Sequence, residues 1–121
     1  MLARILHDAL TGDDHFEALA LVAPESGEIV FMDMVRDVPR GFGEALERFI
    51  MRLMRYRDGF DQLDEVNKVI FYDLDNRQIV CNRISSDEES YILIVVTGPK
   101  KAYKRATKRL LKNLQETLDK A

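Results

Sequence analysis

Few side chains in this 121-residue sequence could do chemistry, and their spacing argues against most of it. His7 and His15 bracket Asp8, Asp13 and Asp14, and imidazole with carboxylate is a donor set for a divalent metal. Seven residues separate the two histidines, a gap that fits no usual ligand spacing, and a solvated acidic loop accounts for the group. "DLDN" (73–76) begins like a calcium loop but lacks the downstream Gly and Glu that such a loop requires. "GFG" (41–43) precedes a helix as phosphate-binding loops do, yet has no third glycine and no strand directly before it. Cys81 is the single cysteine, so it forms no internal disulfide and no metal pattern. With no base in sequence reach, it reads as a small packing residue. The expectation is a protein that is not an enzyme, with no metal and no cofactor.

The charged residues are more informative. Arg48, Arg52 and Arg55 recur at helical spacing around Met51, with Glu44 four residues before Arg48 as an intrahelical partner. Arginines around an exposed apolar residue have the composition of a protein-docking spot. A second group lies in "PKKAYKRATKRLLK" (99–112), which holds seven Lys or Arg and no acid. The whole chain has a net charge of −3 from 18 basic and 21 acidic residues, so the remainder carries −10. Lys101, Lys104, Arg105, Lys108, Arg109 and Lys112 fall on one helix side, where cations in the first turns oppose the helix dipole. An anionic surface or an acidic protein would match that basic face. The leucines on the opposite side must pack on a sheet, which leaves surface attraction rather than insertion.

These groups need elements to hold them. "LARILHDAL" (2–10) has its apolar residues near helical spacing and is stopped by "TGDD". "FEALALVA" (16–23), "PESG" and "EIVFMDM" (28–34) read as strand, Gly-containing turn and strand. "RDVPRGFG" breaks the chain before a long helix in "GEALERFIMRLMRYRDGF" (43–60), with Gly59 at its end. "NKVIFYD" (67–73), "RQIVCNRI" (77–84) and "SYILIVVTG" (90–98) are three more strands, and Pro99 opens a last helix running to about residue 119. The order is helix, two strands, helix, three strands, helix.

"ALALVA" and "YILIVV" are apolar at nearly every position, as strands covered on both faces are. Pairing the first strand with the fifth, and each hairpin with itself, gives the order 2-1-5-4-3. The expected fold class is therefore α+β, a central five-stranded antiparallel sheet with helices on both faces. The third strand then ends the sheet with Lys68, Val69, Ile70, Phe71 and Tyr72, an apolar edge that invites another chain. On the long helix, Leu46, Phe49, Ile50 and Leu53 form the sheet-facing stripe, with Met54 at its border. A two-fold axis would pair the third strand with its own copy and set the two long helices together near Met54. The expected dimer interface is Met54 with Lys68, Val69, Ile70, Phe71 and Tyr72.

In element order and local pattern the sequence resembles the roadblock / dynein light chain family over essentially its whole length, residues 1–121 as one domain. The stretches that carry the resemblance are "ALALVAPESGEIVF", "KVIFYDLDNRQIVCNR" and "YILIVVTGPKKAYKRATKRLLKNL". The long helix departs from the family's small-residue pattern in Phe42, Phe49, Met51 and Met54. The resemblance implies a profilin-like/roadblock architecture, with the first and last helices on one face of the sheet and the long second helix on the other. It also implies a dimer whose sheet continues across two subunits, acting as a scaffold or regulator in signalling with Ras-like small GTPases as recurring partners. The partner-facing surface would be the paired long helices, exposing Glu44, Glu47, Arg48, Met51, Arg52 and Arg55.

Hydrophobic residues at 46% and charged residues at 32% fit an ordinary soluble chain. No apolar run reaches the ~20 residues of a membrane span, and "MLARILHDALTGDDH" turns acidic too soon for a secretory signal. A cytoplasmic homodimer that binds a small GTPase is the expectation. Two alternatives remain: a five-stranded sensor-type domain with a small ligand between sheet and helix, and an electrostatic adaptor working through the basic last helix.

Overall fold

The computed structural model describes residues 2–12, 16–36, 38, 40–55, 68–73, 77–98 and 104–120, with Met54, residues 68–73 and Lys104 described by backbone alone. Its elements are α1 (Leu2–Gly12), β1 (Ala18–Val22), β2 (Ile29–Met34), α2 (Phe42–Arg55), β3 (Lys68–Asp73), β4 (Arg77–Ser85), β5 (Ser90–Thr97) and α3 (Lys104–Lys120). All strand pairs are antiparallel, in the order β2-β1-β5-β4-β3.

Among the residues with described side chains, the packed layer consists of four strands, β2-β1-β5-β4, with three helices over it. β3 ends the sheet on β4, with a register running from Lys68 opposite Asn82 to Asp73 opposite Arg77.

Period-two alternation sorts the core into two layers. On one face, Leu19 and Leu21 of β1, Val80 and Ile84 of β4, and Leu93 and Val95 of β5 meet α1 and α3 through Leu6, Leu10, Leu110, Leu114 and Leu118. On the other, Ala18, Ala20, Ile79, Cys81, Ile92, Ile94 and Val96 meet Phe42, Leu46, Ile50 and Leu53 of α2. The alanines and the cysteine give the α2 face the smaller side chains. The central strands β1 and β5 are buried along nearly their whole length, as strands covered on both sides must be. Asn82 is a buried polar residue in β4.

The turns follow local chemistry. Gly27 closes the β1–β2 hairpin at φ 75°, and its N–H donates to the Ala23 carbonyl at 2.9 Å. That backbone region is open to glycine at little steric cost. Between β1 and β2 the register slips: Leu21 faces Phe31 while Val22 faces Ile29. Val30 is left as the extra residue of a bulge, and it is 51% exposed. In the β4–β5 hairpin the Ser86 N–H donates to the Glu89 carbonyl at 2.7 Å. Across the chain, His7 Nδ1 lies 3.2 Å from Asp33 Oδ2 and ties α1 to β2.

Candidate partner-binding surface

The outward side of α2 is built by a chain that must first reverse direction. Gly41 takes φ 81° just before the helix, and its carbonyl accepts the Ala45 N–H at 3.1 Å, the first helical bond. Gly43 lies so close to β2 that a Cβ there would meet Met34 Cε at 3.0 Å. "GFG" is therefore a turn and a close approach at a helix start. Phe42 between the glycines is buried.

From that start, residues advance by about 100° each along the helix. Phe42, Leu46, Ile50 and Leu53 fall inward and are buried. Glu44, Glu47, Arg48, Met51, Arg52 and Arg55 fall outward and are all exposed. They share an arc of about 140°, with Met51 near its middle. Met51 is 60% exposed. The structure thus brings together all six residues expected on this face. The intrahelical pair expected between Glu44 and Arg48 does not form, although both side chains are described. Solvent screening leaves such an exposed pair with little net stability, so both groups remain open to a partner. The expected interface residues Met54, Lys68, Val69, Ile70, Phe71 and Tyr72 have side chains outside the described residues; β3 itself lies at the end of the sheet opposite the bulged β2.

A support for α2 was not visible in the sequence. Arg77, the first residue of β4, donates from Nε to Glu17 Oε2 just ahead of β1, and its guanidinium lies over the Phe42 ring, 5.4 Å from the centroid. Sixty positions separate Arg77 from Glu17, so no local pattern announces the contact. The backbone around Glu17 is also held, its N–H donating to the Val96 carbonyl at 2.8 Å and its carbonyl accepting the Val35 N–H at 2.9 Å.

On the other face, Arg105, Lys108, Arg109 and Lys112 of α3 are exposed. Lys101 lies outside the described residues, as does the side chain of Lys104. His7 points to Asp33, while His15, Asp13 and Asp14 lie outside the described residues. Among the described residues no three His, Cys, Asp or Glu side chains gather at one point. Cys81 is buried against α2, and burial pushes its thiol up to about 12. No helix among the described residues is long and apolar enough to cross a membrane. An open groove of about 350 Å³ runs between α1 and α3, past Ile5, Phe16, Ala106 and Leu110, with Asp8 and Arg109 on its walls.

The fold is that of a roadblock-like domain. The gliding protein MglB of Thermus thermophilus superposes with a TM-score of 0.71 at 12% identity, over 99% of this chain and 90% of that one. Myxococcus xanthus MglB superposes at 0.72 and 10% identity, over 99% and 96%. A Roadblock/LC7 domain from Streptomyces avermitilis gives 0.65 at 13% identity, over 96% of each. No protein-family model matches the sequence. No curated protein matches it either.

Proposed function

We propose that this protein is a non-catalytic, cytoplasmic regulator or scaffold, homodimeric, that docks a Ras-like small GTPase on the outward face of α2. One observation carries the reading: Met51 stands exposed in the middle of Glu44, Glu47, Arg48, Arg52 and Arg55 on a helix whose other side is fully engaged with the sheet. An apolar centre within an arginine-rich rim is how docking energy is usually concentrated. The roadblock-like fold supports the choice of a GTPase as the partner class. The dimer reading is supported by β3, an end strand with an unbroken six-residue register on β4, whereas the opposite margin carries the Val30 bulge.

The test presents Ras-like GTPases, loaded with GDP or a non-hydrolysable GTP analogue, to the wild-type protein and to an Arg48→Glu/Met51→Asp variant. Binding by the wild type and a loss of at least tenfold in the variant is the expected result. Unchanged binding in a variant that remains folded rejects the α2 surface. Sedimentation showing a monomer at micromolar concentration rejects the dimer.

A further inference from the structure

The two ends of α3 carry opposite charge. Arg105, Lys108, Arg109 and Lys112 recur at offsets of three and four, so they form one exposed ridge about 10 Å long. Among the described residues, none of the four forms an ion pair or hydrogen bond with another side chain. Placed in the first half of the helix, they oppose its dipole and add nothing to helix stability. Asp119 follows about 10 Å beyond Lys112 on the same helix.

At that far end α3 is fastened to the β4–β5 hairpin, where Gln115 Nε2 donates to the Ser85 carbonyl at 2.6 Å and to Asp119 Oδ1 at 3.1 Å. Asp87, Glu88, Glu89 and Asp119 line an open groove there of about 430 Å³, floored in part by Leu118. Lys120 is the neighbouring exposed cation. These carboxylates do not converge as a metal site would. A concave, spread set of negative charges matches a convex row of positive ones.

We propose that the basic ridge of α3 docks into the hairpin groove of a second copy of this protein. The charge balance selects a second copy over a generic polyanion. Outside residues 99–112 the chain carries −10, so a lipid or nucleic-acid surface attracted by the ridge repels the rest of the molecule. The acidic end of another copy is small enough to meet the ridge alone. Ridge and groove are different surfaces, so the contact is head-to-tail and repeats from copy to copy instead of closing on a two-fold axis. It uses neither α2 nor β3 and does not depend on the GTPase reading.

Charge exchange tests it. Sedimentation of the full chain at about 20 mM salt is expected to show species larger than at about 500 mM, because exposed charges are screened within ~3–10 Å at high salt. Lys108→Glu/Arg109→Glu and, separately, Glu88→Lys/Glu89→Lys are each expected to abolish the low-salt species. Mixing the two variants is expected to restore a complex, because each keeps the surface the other has lost. Size independent of salt, or no recovery on mixing, overturns the proposal. So does a ridge variant whose main loss is binding to phosphatidylserine vesicles or duplex DNA with self-association unchanged.

Discussion

The guanidinium of Arg77 lies over the ring of Phe42, so the first residue of β4 holds down the first residue of the helix that carries the exposed face. The same side chain reaches Glu17, and both partners are mostly shielded from solvent.

Arg77→Ala removes the cation over the ring and leaves Glu17 without this donor. A cation–π contact of ~0.5–2 kcal/mol and a charged hydrogen bond of ~1.5–3 kcal/mol are at stake, and water replaces part of both. Urea unfolding is expected to show a loss of about 2 kcal/mol. Lys at this position keeps the charge but not the planar fork and should recover less than half. A variant as stable as the wild type would remove the anchor.

Burial raises the Cys81 thiol from its ordinary 9.0 to about 12. Above pH 9 the unfolded thiol releases its proton while the native one keeps it. Its contribution to stability is complete below that pH and is lost as pH rises toward 12. Tyr91 is raised too, by desolvation first and then by the charge of Glu89, and acts in the same direction. Chemical denaturation at about pH 8 and about pH 10.5 should show a steeper fall for the wild type than for Cys81→Ala, with Tyr91 common to both. Equal slopes would show that the thiol ionises in the folded protein.

Gly41 sits at φ 81° with open space around it, so a side chain there meets a backbone cost and no clash. Gly41→Ala should lower stability by about 1–2 kcal/mol and Gly41→Asn by less, since Asn tolerates this region better. Thermal unfolding of the two variants tests the order, and Ala equal to glycine would contradict the turn.

Thr97 Oγ1 and Thr107 Oγ1 are buried without a hydrogen-bond partner among the described residues. Thr97→Val exchanges an unpaired hydroxyl for a methyl of similar size, and is expected to stabilise the protein by about 1 kcal/mol in urea titration. A loss of stability would reveal a partner for that oxygen.

What the sequence discloses follows from periodicity. The exposed face of α2 is legible because Met51 and the arginines lie at helical offsets opposite Leu46, Ile50 and Leu53, and burial enforces that offset. β1 and β5 are legible because two covered faces demand unbroken apolar runs. Contacts between distant residues are not. Arg77 meets Glu17 and Phe42 only after β4, β5 and β1 have been laid side by side, and His7 meets Asp33 only once α1 crosses β2. The slip at Val30 leaves no trace in an alternating pattern that tolerates one extra residue.

That slip has a consequence for how many chains can join. A margin whose ladder is out of step offers no straight row of donors and acceptors for an incoming strand. Growth of the sheet by strand addition is therefore one-sided. Two molecules that met at the opposite margin would leave only their bulged margins facing outward, and a third would find nothing to pair with. A single surplus residue would make such an association count to two and stop.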